Sequence, residues 1–215
     1  MLLVSPLLTF DLLGGRSRCS GSVNDGGLAG AVRPPLWGES FRSYCYLCAF
    51  ALRTYGHEAV VESLLEAYAT LARSHPETRF VYGEIGFPWG GRFPPHRSHR
   101  NGLSVDFMVP LAEGRTLPTS LWNRFGYDED FAADGSGPAG RIDFDALAAH
   151  LLALSDAAEA RGGRIARVFL APDLQQPLFA AAGGREVARR IAFNRSPSWV
   201  RHDDHYHVDF AFACG

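Results

Sequence analysis

Between His57 and about Ser74 apolar side chains recur as Val60, Val61, Leu64, Leu65, Tyr68, Leu71 and Ala72. That is the period of one helical face, and Glu58 and Glu62 near its start suit the positive end of the helix dipole. A core-packing helix is predicted there. A second begins where Asp143 can cap Phe144, Leu147, Leu151, Leu154 and Ala158, and it stops at Gly162-Gly163. Other stretches alternate instead. Arg79 to Ile85 and Arg164 to Leu170 are β-branched or aromatic enough for strands, and Ser104 to Val109 sets Val105, Phe107 and Val109 against Asp106 and Met108. The run HYHVDFAFA from His205 alternates strictly, with His205, His207 and Asp209 on one face and Tyr206, Val208 and Phe210 on the other.

Between these elements lie three irregular stretches. Residues 14 to 40 are rich in Gly, Ser, Asn and Pro and predict an irregular segment lying over the domain. GFPWGGRFPPHRSH is loop, and Leu111 to Gly140 is a long acidic, Gly-containing surface excursion of the kind that borders a cleft. Short helical pieces are expected between Asp173 and Ile191. Strands mixed with helices, without regular βαβ alternation, predict an α+β fold with a small, mostly antiparallel sheet flanked by helices and long loops.

At 215 residues and 47% hydrophobic, the chain suits one domain with a proper core, taken as residues 21 to 215 after an N-terminal extension over 1 to 20. Met1 to Leu13 is apolar but lacks a positive n-region and is broken by Asp11, so no clear signal peptide is read there. No apolar run reaches the ~20 residues of a membrane span. The net charge is −2 and the arginines are scattered, which argues against nucleic acid as a partner. All 21 basic residues are arginine, so Schiff-base, lysine-base and P-loop-lysine chemistry are excluded.

Cys19, Cys45, Cys48 and Cys214 allow three pairings, among which the sequence does not choose. Cys45 and Cys48 lack the second C-x-x-C of a zinc ribbon and the βαβ surroundings of a redox motif. Structural disulfides or buried thiols remain, and at least one bridge is expected in an oxidising compartment.

Five of the eight histidines fall in two short segments: His96 and His99 in HRSHRNGLSVD, and His202, His205 and His207 in RHDDHYH. A catalytic metal site needs about three N/O ligands and an open position for water. His99 is separated from Asp106 by a turn at Gly102 leading into a strand, which makes a plausible metal pair. Alternation places His205 and His207 on one side of their strand, roughly 6 to 7 Å apart at Cα. One of them can ligate while the other stands beside a metal-bound water. H-x6-D alone is weak and H-x-H is stronger; together they are far more specific. His96 and His202 are either loop histidines or groups supporting the site. His57, His75 and His150 read as surface or helix-end residues. Asp203 and Asp204 read as a solvated turn, and Asp209 as a sheet-face carboxylate able to orient a histidine ring. Ser98 and Ser104 read as structural.

GGRFPPHRSHRNGLSVDF, followed about a hundred residues later by WVRHDDHYHVDF, resembles the penicillin-insensitive murein endopeptidase family. GSVNDGGLAGAVRPP at residues 21 to 35 and Tyr55-Gly56-His57 extend the likeness, which is weakest between residues 111 and 195. That family belongs to the lysostaphin, D-Ala-D-Ala metallopeptidase and Hedgehog superfamily. The resemblance implies a small antiparallel sheet carrying the two motifs, Zn2+ held by His99, Asp106 and His207, and His205 as general base. It places His96 and His202 as further active-site histidines. It also implies hydrolysis of the D-alanyl to meso-diaminopimelyl cross-link of peptidoglycan in the periplasm. Three other readings remain open: a D,D- or L,D-carboxypeptidase on murein peptides, a non-catalytic zinc-stabilised binding module, and a cytosolic peptidase.

Overall fold

The computed structural model describes residues 16–214. Its strands are β1 (Arg18–Ser22), β2 (Asp25–Ala29), β3 (Phe41–Ser43), β4 (Phe80–Tyr82), β5 (Ser104–Met108), β6 (Ser136–Gly137), β7 (Gly140–Arg141), β8 (Arg164–Phe169) and β9 (His205–Ala211). Its α-helices are α1 (Tyr46–Phe50), α2 (Glu58–Ser74), α3 (Phe144–Glu159), α4 (Pro172–Ala180) and α5 (Gly184–Arg190), with short 3-10 turns at Ala112–Gly114 and Leu121–Gly126. The main sheet runs β3-β4-β5-β9-β8, with β3 and β4 parallel and every other neighbour antiparallel. This is an α+β architecture, as the mixture of periods predicts.

The two long helices form where the apolar stripes place them. His57 Nδ1 accepts from Ala59 N at the start of α2, and Asp143 caps α3 by accepting from Ala146 N at 2.9 Å. Leu64 and Tyr68 of α2, and Leu147, Leu151 and Leu154 of α3, join Val105, Phe107, Tyr206 and Val208 from the sheet in one core. Each such side chain stabilises the fold by about 1.5–3 kcal/mol on burial. The core thereby clamps β5 and β9 from one side.

Two expectations need correction. The irregular stretch expected over residues 14–40 contains the β1–β2 hairpin, with Ser22 opposite Asp25 and Ser22 Oγ accepting from Asp25 N at 3.1 Å. Gly26 is required there because a Cβ would stand 2.3 Å from the Ser20 carbonyl oxygen. Its glycine marks close packing of strands, not loop freedom. His150, expected at a surface or helix end, is fully buried on α3. It stacks on Phe80 and Tyr68, and its Nδ1 meets the Tyr206 hydroxyl, so an amphipathic stripe includes a histidine once a hydroxyl and aromatic faces surround it. Of the expected N-terminal extension, residues 1–15 lie outside the described residues, and Arg18 to Ser20 belong to β1.

All four cysteines are paired, Cys19 with Cys214 and Cys45 with Cys48. The first bridge fastens the hairpin to the chain just beyond β9. The second closes the first turn of α1, where Cys45 is the N-cap.

Candidate metal and catalytic centre

The register of β5 against β9 sets the site. Asp106 lies directly opposite His207, Ser104 opposite Asp209 and Met108 opposite His205. Because side chains alternate across a strand, Asp106, His205, His207 and Asp209 share the face turned away from the helices. His99 arrives from the preceding loop at φ 65°, and Gly102 at φ 74° turns the chain into β5. A Cβ at Gly102 would lie 2.8 Å from His57 N, so glycine is needed there for two reasons.

His99 and Asp106 are fully buried at the floor. His99 Nδ1 donates to the Ile85 carbonyl at 3.0 Å. A carbonyl only accepts, so the proton belongs on Nδ1 and a lone pair on Nε2. That Nε2 has no hydrogen-bond partner among the described residues, yet it stands 3.2 Å from Asp106 Oδ1. Two electron-rich atoms face each other across the distance that ligands of one small cation keep. His207 Nδ1 lies 2.8 Å from the same oxygen, and its Nε2 lies 2.7 Å from Asp209 Oδ1. For bonds of ~2.0–2.1 Å in a tetrahedral shell, neighbouring donor atoms stand about 3.3 Å apart. The His99 distance to Asp106 Oδ1 matches that spacing and the His207 distance is shorter, while Asp209 holds the other nitrogen of the His207 ring. Ser104 Oγ donates to Asp209 at 2.6 Å, and the Tyr127 hydroxyl donates to Asp106 Oδ2 at 3.1 Å.

The electrostatics favour positive charge at the same point. Burial alone pulls the His207 pKa down, but the Asp209 charge and hydrogen bonds to Asp106 and Asp209 raise it to about 10. Burial pushes the Asp106 carboxyl up, and His99 and His207 more than reverse this, holding it well below the usual carboxylate range. His99 is pulled down by burial, more than Asp106 raises it.

Around this floor stand the other three histidines. His205 Nδ1 is hydrogen-bonded to Asp204 Oδ1, and its ring meets the edge of Tyr127 at 4.7 Å between centroids. Burial pulls His205 down, but the hydrogen bond and charge of Asp204 leave its pKa raised. His202 Nδ1 lies 2.8 Å from the Val200 carbonyl, and burial together with the neighbouring His205 pushes its pKa down to about 3. His96 Nε2 lies 2.5 Å from Glu84 Oε2. Burial would raise Glu84, yet hydrogen bonds from Arg53 and His96 bring it down to about 2. Among the described residues, His96, His99 and Asp106 form a group of metal-ligating type, with donor atoms within 4.8 Å of one another.

All six residues singled out in the two sequence segments thus converge on one cleft of about 890 Å³, with His96, His202, His205 and His207 in its wall. The excursion after β5 borders it through Arg124, Phe125 and Tyr127. Asp203 and Asp204 differ from expectation: neither is solvated. Asp203 accepts from Phe131 N at 2.8 Å and pairs with Arg201, while Asp204 holds His205. Sequence reasoning also missed Glu84 and Tyr127. Nothing in their local pattern marks them, since both act on residues distant in the chain. Asp209 does orient a histidine ring, and Ser104 is structural, holding Asp209.

Fold and site together define a class, an α+β protein with a histidine and aspartate donor group beneath a wide cleft. The sequence profile of the penicillin-insensitive murein endopeptidases matches residues 19–215, and the chain belongs to that family. Penicillin-insensitive murein endopeptidases from two strains of Klebsiella pneumoniae are each 26% identical to it over 198 residues, covering 91% of this chain and 67% of theirs.

Proposed function

We propose that this chain is a zinc-dependent endopeptidase that hydrolyses D-alanyl to meso-diaminopimelyl cross-links of peptidoglycan outside the cytoplasm. The observation that carries the reading is the buried His99 Nε2, without a hydrogen-bond partner among the described residues, facing Asp106 Oδ1 while His207 Nδ1 approaches the same oxygen. His99, Asp106 and His207 would hold the ion. Zinc bound there supplies Lewis acidity for the scissile carbonyl and lowers the pKa of a coordinated water towards ~7. His96 is the competing third donor, since Glu84 holds its Nε2 as Asp209 holds that of His207; His207 is preferred for its place directly opposite Asp106, with Nδ1 2.8 Å from Asp106 Oδ1.

His205 serves as the general base. Asp204 occupies its Nδ1, so Nε2 is the atom that takes the proton from water and returns it to the leaving amine. Tyr127 packs on that ring and anchors Asp106, which keeps base and ligand in one frame. His202 keeps its proton on Nδ1, against the Val200 carbonyl, and so presents Nε2 as an acceptor. That suits a substrate N–H better than an oxyanion. His96, backed by the Glu84 carboxylate, is the better oxyanion partner.

The two disulfides support an oxidising, extracytoplasmic setting. No helix of the described residues is long and apolar enough to cross a membrane. The test is incubation with isolated murein sacculi, with and without chelator, followed by mass analysis of the released muropeptides. Monomeric peptides appearing only without chelator are the expected result. Release of terminal D-alanine alone would make the enzyme a carboxypeptidase, and no release would end the hydrolase reading.

A further inference from the structure

The cleft carries more positive charge than the chemistry at its floor uses. Four arginines line it: Arg53, Arg97, Arg124 and Arg167. Arg53 is spent on Glu84, which it grips with two nitrogens, the Nη2 contact being 2.9 Å. The other three guanidiniums make no ion pair among the described residues. Arg97 and Arg167 instead stand over aromatic rings of the same wall, 5.9 Å from the centre of Trp199 and 5.8 Å from that of Phe169. The wall's own carboxylates offer them nothing, since Glu84 is taken by Arg53 and His96, and Asp209 by His207 and Ser104. Arg97 comes from the loop before His99, Arg124 from the excursion after β5 and Arg167 from β8, so three separate segments deliver cations to one opening.

Guanidinium groups held on aromatic faces beside a cleft are ready to bind planar anions, because stacking leaves the edge nitrogens free to meet a carboxylate. We propose that Arg97, Arg124 and Arg167 are substrate-positioning residues that bind free carboxylates of an acidic peptide, away from the bond being cut. The inference rests on the hydrolase reading for the identity of that peptide, and it names what the reading leaves open: the substrate is recognised as a polyanion as well as by its scissile amide.

The test uses the full chain with Arg97→Gln, Arg124→Gln and Arg167→Gln, singly and together, and two probes. One is a cross-linked muropeptide dimer with free carboxyl groups, and the other is the same dimer with those groups amidated. Each single change should raise KM about twofold to fivefold, and the triple change about tenfold to a hundredfold, with kcat nearly constant. Amidation should make the wild type behave like the triple variant, and the triple variant should no longer distinguish the two probes. Equilibrium binding of the free-carboxyl dimer to His205→Ala protein gives the same comparison without turnover, and added salt should weaken it in the wild-type wall only. A triple variant with unchanged KM and binding, or one that weakens both probes equally, overturns the proposal. Arginine-dependent binding without any cleavage by the wild type would remove the hydrolase reading and leave the carboxylate positions standing.

Discussion

The two faces of the β5–β9 pair are built from the same strands and solve opposite problems. On one face Val105, Phe107, Tyr206 and Val208 pack under α2 and α3 around His150; on the other, Asp106, His205, His207 and Asp209 meet beneath the cleft. Both faces bury histidine almost completely. His150 meets the Tyr206 hydroxyl and aromatic rings but no carboxylate partner among the described residues, and burial drives its pKa down to about 3. His207 lies between two carboxylates and is raised to about 10. Burial is common to both, so the partners decide the charge. A neutral histidine can be core, whereas one bracketed by carboxylates is held in its charged form.

The sharpest way to break that contrast is His207→Ala, which should remove most of about one zinc per chain and, with it, murein cleavage. Metal analysis of this variant beside His96→Ala decides which histidine is the third ligand, since full occupancy without His207 would shift the site to His96. Next comes His205→Ala, expected to keep its zinc and lose about 10² to 10⁴ in rate. Zinc content and cleavage rate measured on one preparation separate the outcomes: metal lost with activity makes His205 a ligand, and undiminished activity removes its role as base.

On the core face the effect is on stability. The folded pKa of His150 lies near 3, below its ordinary value of about 6.5, so the unfolded chain binds the extra proton first. Its contribution is fully present above pH 6.5 and is lost as pH falls towards 3, by up to about 1.4 kcal/mol per pH unit. Urea unfolding of chelator-treated protein should therefore show the wild type losing about 2 kcal/mol more than His150→Leu between pH 7 and pH 5. Equal losses would mean that His150 is not neutral in the fold. The smallest expected change is Tyr127→Phe, which removes the hydroxyl from Asp106 Oδ2 and should weaken zinc binding by about tenfold while the core stays intact. A chelator competition titration reads it directly.

Much of this was legible before any coordinates. The stripes of α2 and α3 and the alternation of β9 are local periodic signals, and the two histidine-rich segments do meet in one cleft. What could not be read is what depends on distant partners. Tyr127 reaches Asp106 across 21 positions, and Tyr44 reaches Glu84 across 40, so neither leaves a local mark. Asp203 and Asp204 look like a solvated turn until the chain near Phe131 folds over them and supplies backbone donors. His150 fits its helix stripe, yet only the packed tertiary structure shows that the stripe faces a hydroxyl. The β1–β2 hairpin was hidden for another reason: its glycines answer to close packing, which a reading of glycine as loop inverts.

One feature of the sheet governs timing. Asp106 and His207 pair across a separation of 101 residues, with β8, α3, α4 and α5 all intervening before β9 inserts between β5 and β8. A chain emerging from the ribosome or from a translocation pore with β5 already threaded carries His99 and Asp106 but neither His205 nor His207. Such a partial chain has no assembled centre, and its central sheet still lacks the strand that joins its two halves. The histidine and aspartate cluster therefore comes together late, with the passage of β9, the strand that also joins the two halves of the sheet.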